Sequence, residues 1–114
     1  MYIYAGEGFK VNKVYAREVH PMRERDIEAY LREQVKALGG WAPKWTSPGN
    51  SGVPDRLVIL PGGRIAMVEL KAPGGKPSPL QLVQHKRLRA LGCDVRVVDS
   101  KEQVDALLRE LRQL

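Results

Sequence analysis

The apolar positions of the chain change period several times, and each change marks an element. After Met22, Ile27, Leu31, Val35 and Leu38 recur at helical spacing, and Gly39-Gly40 supplies the stop. Trp41 to Thr46 reads as a short strand, placed at a sheet edge because Pro43 has no N–H to give to a central ladder. Ser47 to Pro54 is built almost wholly of loop formers. Arg56 to Leu60 has the apolar run of a buried strand, Pro61-Gly62-Gly63 turns the chain, and Arg64 to Lys71 returns as the hairpin partner. A second Gly/Pro loop runs from Ala72 to Pro77. Ser78 and Pro79 then stand as N-cap and first residue of a helix that closes at Gly92. Asp94 to Val98 is another strand, and Ser100 with Gln103 forms a capping-box pattern ahead of a last helix carrying Val104, Leu107, Leu108 and Leu111. The order αβββαβα predicts an α/β fold with a central mixed sheet flanked by helices. Residues 1–21 lie outside this rhythm: Tyr2, Tyr4, Phe9, Val11, Val14 and Tyr15, spaced by Gly6 and Gly8, suit a short hairpin and a loose arm equally.

Composition narrows the classes without selecting among them. At 114 residues the chain has the length of one domain, with residues 22–114 as its expected folded body. The longest aliphatic stretch is interrupted by Arg64, Glu69 and Lys71, so no segment is expected to cross a bilayer. The first seven residues lack a basic stretch followed by an apolar core, so no signal peptide is expected. A single cysteine, Cys93, excludes an internal disulfide and a cysteine-based zinc site, and points to a reducing cytoplasm. A net charge of +6 suits a polyanion binder, because each phosphate contact releases condensed counterions, and it equally suits mere solubility.

The informative chemistry is Pro54-Asp55, then thirteen residues, then Glu69-Leu70-Lys71. Strand side chains alternate, so Glu69 and Lys71 project to one side and Leu70 to the other. The tight turn at Pro61-Gly62-Gly63 brings Asp55, entering one strand, beside Glu69, leaving the next. Two carboxylates suffice as the protein's share of a magnesium site, since Mg2+ prefers oxygen ligands and keeps several waters; the Leu70 main-chain carbonyl is placed to be a third ligand. Such an ion polarises a phosphodiester and acidifies a bound water, and Lys71 would orient that water or neutralise transition-state charge. Elsewhere a Glu and a Lys two apart are often a solvated strand edge, and an Asp after Pro a turn residue. Here the strand around them is apolar (Ile65, Ala66, Met67, Val68, Leu70), so its charged end breaks the burial pattern, as functional sites do. Lys44, Lys76, Lys86, Arg87 and Arg89 are candidates for phosphate contacts that position a nucleic acid without reading its sequence. His85 has no partner at metal-ligand spacing and reads as a surface or phosphate-facing histidine. Trp41 and Trp45, four apart on one strand face, read as core packing.

Ser51-Gly52-Val53-Pro54-Asp55, Val68-Glu69-Leu70-Lys71-Ala72-Pro73-Gly74 and Ser78-Pro79-Leu80-Gln81, in this order and spacing, resemble the VRR-NUC family of PD-(D/E)xK nucleases. The match runs roughly from Met22 to Ser100. The resemblance implies a restriction-endonuclease-like fold that hydrolyses DNA phosphodiesters with Mg2+, for which Mn2+ can substitute, and without an organic cofactor. It implies Asp55 and Glu69 as metal ligands and Lys71 as a catalytic residue. Small stand-alone members typically come from viruses and bacteria, act on branched DNA such as four-way junctions and flaps, and are often homodimers. The family also places an acid on the first helix, where Glu24 and Glu28 are both available. The stripe of Ile27, Leu31, Val35 and Leu38 brings Glu24 nearer its centre, so Glu24 is expected to face inward as a catalytic residue. Gln81 matches the family's glutamine after the lysine strand, and it also closes the capping pattern Ser78-x-x-Gln81. Nothing offers an obvious major-groove recognition helix, which favours structure-selective over sequence-specific cleavage. The alternatives are a restriction-type enzyme with a sequence preference, and a non-catalytic basic DNA-binding module.

Overall fold

A computed structural model of the chain describes residues 22–114; the arm or hairpin expected over residues 1–21 lies outside the described residues. The elements follow as α1 (Glu24–Ala37), β1 (Arg56–Leu60), β2 (Arg64–Leu70), α2 (Pro79–Ala90), β3 (Val95–Val98) and α3 (Lys101–Arg112). β2 is central, pairing antiparallel with β1 and parallel with β3. An antiparallel neighbour needs only a tight turn, whereas a parallel one needs a long crossover, which α2 provides.

The predicted stripe of α1 is buried: Ile27, Leu31 and Val35 are fully inaccessible. With Val104, Leu107, Leu108 and Leu111 of α3 they cover one sheet face, formed by Val58, Leu60, Ala66, Val68, Leu70 and Val98. Strand alternation sends Ile59, Ile65, Met67 and Glu69 to the other face. There α2 packs against β3, and its single buried residue is His85. No described residue covers the far end of that face, where Ile65 is 48% and Trp41 67% exposed. The expectation that the tryptophans pack a core is thereby corrected for Trp41, and Trp45 is half-buried. The sheet has a fully covered face and a partly covered one, and Trp41 lies beside Ile59 on the second.

Trp41 to Thr46 keeps the predicted place beside β1 but is not a strand. Trp41 faces Ile59 and Lys44 faces Arg56 in isolated antiparallel bridges. Pro43 is the physical reason: its carbonyl accepts from the Leu57 N–H at 3.0 Å, and it has no N–H to return. The described order is therefore αββαβα. Gly40 lets the segment approach, since a Cβ there would lie 2.4 Å from the Ile59 carbonyl oxygen, which the Trp41 N–H reaches at 2.9 Å. Before α3, Ser100 Oγ accepts from the Gln103 N–H at 3.1 Å, as a cap should. The Gln103 side chain departs from the capping box and takes the Asp99 N–H instead, at 2.6 Å. No helix among the described residues is long and apolar enough to cross a membrane.

Candidate active site

The site forms where the β1–β2 ladder stops. Arg56 pairs with Val68, so the register, continued, sets Asp55 beside Glu69 and Pro54 opposite Leu70. That further rung is not made. Pro54 has no N–H to give to the Leu70 carbonyl, and the Leu70 N–H goes instead to Asp55 Oδ2 at 2.8 Å. Asp55 is thus fixed by β2 through its side chain, and by the edge segment through its carbonyl, which accepts from the Trp45 N–H at 2.9 Å. The Leu70 carbonyl receives no ladder donor from β1.

Glu69 is only 1% exposed, and α2 engages both of its oxygens. Gln81 Nε2 donates to Oε2 at 3.0 Å, and His85 Nε2 lies 3.2 Å from Oε1. Lys71 Nζ stands 3.7 Å from Oε2, on the same strand side as alternation requires. Gln81 fills two roles at once, because its Oε1 also accepts from the Ser78 N–H at 2.8 Å while Ser78 Oγ accepts from the Gln81 N–H at 3.2 Å. The loop before Asp55 is seated on the same helix: Gln84 Nε2 donates to the Ser51 carbonyl at 3.1 Å. Gly52, at φ +91°, passes so close under Leu80 that a Cβ would meet it at 3.1 Å.

Burial, then the hydrogen bonding and charge of Asp55, push the Glu69 carboxyl up to about 8; Lys71 opposes this and Glu24 adds slightly to it. Burial, and then the charge of Arg89, lower the His85 imidazole below its ordinary range, so it is neutral at neutral pH.

A comparison with protein-family models finds no match. The chain is 56% identical over 81 residues to "Putative nuclease p44" of Acyrthosiphon pisum secondary endosymbiont phage 1, an alignment covering 71% of this chain and 87% of the phage protein. A solved structure named "VRR_NUC domain" matches it with a TM-score of 0.72 and 45% identity, over 77% of this chain and 96% of that one. The chain belongs to the VRR-NUC family of nucleases. Its α/β core is accordingly the restriction-endonuclease-like one that the resemblance implied, with three helices around a three-stranded mixed sheet among the described residues.

In this VRR-NUC chain the fold gathers Asp55, Glu69, Lys71 and Gln81 at one end of the sheet. Glu24 does not face inward as expected. It stands exposed as the first residue of α1 and acts on Glu69 only through its charge. Glu28 is committed elsewhere: its Oε2 lies 3.1 Å from both Nε and Nη2 of buried Arg56, whose Nη1 donates to the Ala42 carbonyl at 2.7 Å. Lys44, Lys76, Lys86 and Arg87 are exposed. Arg89 is exposed too, but its Nη2 donates to the Val95 carbonyl at 2.8 Å, which ties it to β3.

His85 is the residue that the sequence reading misplaced: it is 0% exposed and in contact with Glu69. Its basic neighbours, Lys86 and Arg87, made the segment look like surface. The available signal was its spacing from Gln81, since residues four apart share a helix face.

Among the described residues, no cluster of three or more His, Cys, Asp and Glu side chains is ready to hold a metal ion. The donors present are two carboxylates and a main-chain carbonyl that the ladder leaves unserved. This all-oxygen set fits a hard cation that keeps several waters, and lacks the sulfur and nitrogen donors of a structural zinc site.

Proposed function

We propose that this nuclease is a metal-dependent endonuclease that hydrolyses internal DNA phosphodiesters and selects branched structures such as four-way junctions or flaps. The observation that carries the reading is the meeting of Asp55 with a Glu69 so buried that its carboxyl is pushed up to about 8. Such a pair holds its full negative charge at neutral pH only beside a cation. Asp55, Glu69 and the Leu70 carbonyl would hold Mg2+, with Mn2+ able to substitute. When bound, the ion supplies Lewis acidity toward the phosphodiester and a water acidified enough to attack it.

The chain's own groups do the rest. Lys71, anchored by its N–H to the Val98 carbonyl at 2.9 Å, directs its ammonium to the site, where it orients the attacking water and balances charge developing on the phosphate. Gln81 holds Glu69 in place, and Glu24 adds negative potential at the mouth. The exposed Lys44, Lys76, Lys86 and Arg87 grip phosphates and set the register of the duplex. A homodimer acting on the two equivalent strands of a junction, in the cytoplasm of a bacterium or an infected cell, completes the proposal.

Incubation with Mg2+ and a panel of duplex, flap, fork and four-way-junction DNAs is the test, with branch-dependent nicking that stops in a chelator as the expected result. Defined bands from a plasmid would select a restriction-type enzyme instead. Binding of DNA with no metal-dependent cutting of any substrate would leave a basic binding module.

A further inference from the structure

His85 is wholly buried in a helix that buries nothing else. On the same helix Leu80, Leu82 and Val83 are each at least half exposed. A polar ring at the one inaccessible position is not there to pack, for an aliphatic side chain would bury at lower desolvation cost. Its surroundings give the reason. Nε2 lies 3.2 Å from Glu69 Oε1, while Nδ1 is buried with no hydrogen-bond partner among the described residues. A neutral imidazole carries one N–H, and a buried donor left unpaired is rarer than a buried acceptor left unpaired. The proton therefore belongs on Nε2, and the bond runs in one direction, from His85 to Glu69.

We propose that His85 is a positioning residue that acts with Gln81 to fix the rotation of the Glu69 carboxylate in readiness for the cation. Each oxygen accepts one hydrogen bond from α2, His85 on Oε1 and Gln81 on Oε2, and keeps its remaining lone-pair capacity for the metal. A carboxyl group held at both oxygens has only to give up its proton, and not to be ordered, when the ion arrives. Outer-sphere donors of this kind are typically worth about 10–100-fold in metal affinity. The inference rests on the metal-site reading above, and adds a residue to which that reading gives no role.

The test is Mn2+ binding by calorimetry on the full chain, in three variants checked for folding by circular dichroism. His85→Leu keeps bulk and loses the donor. His85→Gln places an amide N–H near the Nε2 position, and His85→Asn places one near Nδ1. His85→Leu and His85→Asn should bind Mn2+ about 10–100-fold more weakly than the wild type, with His85→Gln recovering most of the loss. Long-range nitrogen–proton NMR of the wild-type imidazole should show the proton on Nε2, in the absence of metal as in its presence. Wild-type affinity in His85→Leu, equal weakness in His85→Gln and His85→Leu, or a proton on Nδ1 would each overturn the inference; should His85→Leu not fold, the contrast of Gln with Asn decides. A wild-type protein that takes up no Mn2+ would overturn the metal reading first, and this inference with it.

Discussion

In the proposed metal site, a Glu69 carboxyl pushed up to about 8 would make a proton and a cation compete for one group. In the unfolded chain the same group titrates near its ordinary value of 4.5. Between these values the metal-free fold holds a proton that the unfolded chain has lost, so its stability falls as the pH rises through the window and levels off above it. Chemical denaturation in a chelator, from about pH 5 to pH 9, should show that decline, and Glu69→Gln should remove most of it. At the alkaline end Glu69→Gln should therefore be more stable than the wild type, while both it and Asp55→Asn lose all cleavage and keep their DNA affinity. Lys71 is a question of shape as well as charge, since an arginine carries the charge on a planar fork in place of a compact ammonium. In single-turnover assays Lys71→Arg should fall within about tenfold of Lys71→Ala. Asp55, Glu69 and Lys71 were legible because a hairpin and strict alternation are local rules. His85 was not, because its burial depends on where α2 docks, and no pattern within the helix encodes that.

Among the elements, α1 offers two acids one turn apart whose duties separate cleanly. Glu28 neutralises Arg56, and removing it would leave a guanidinium buried without its carboxylate. Glu28→Ala should destabilise the fold by about 3 kcal/mol, read as a lowered denaturation midpoint. Glu24→Gln, at an exposed helix start, should leave that midpoint nearly unchanged and lower the cleavage rate. A Glu28→Ala protein as stable as the wild type would contradict the division. Helices α1 and α3 were readable at almost every buried position, because each lays one apolar stripe on a covered sheet face. Residues 41–46 were readable as to place but not as to regularity. A ladder needs a donor at each rung, and Pro43 withholds one. Trp41 was misread because alternation tells which face a side chain takes, not whether anything lies upon that face.

At the scale of the molecule the proposed substrate sets the stoichiometry. A four-way junction presents two equivalent strands, and the described residues of each chain form one acidic site, so symmetric incision calls for a two-fold pair. Light scattering at micromolar concentration should give a dimer. The aromatic positions of residues 1–21 are the candidate contacts, because the leucines of α3 are buried in the chain's own core. Deleting residues 1–20 should yield a monomer that loses junction cutting before flap or fork cutting. A strict monomer that still made paired, symmetric incisions would rule the assembly out.

The missing rung between Pro54 and Leu70 has one more consequence. Pro54→Ala would supply the absent N–H and let the sheet zip one residue further, across the carbonyl proposed as a metal ligand. The gain of one hydrogen bond, about 1 kcal/mol, is close to what the chain loses when a proline no longer restrains its unfolded state. The variant should therefore melt within a few degrees of the wild type, yet bind Mn2+ more weakly and cut more slowly. Thermal melting beside calorimetry would reveal a sheet end kept unfinished for the sake of activity, in which Pro54 serves catalysis by what it cannot donate.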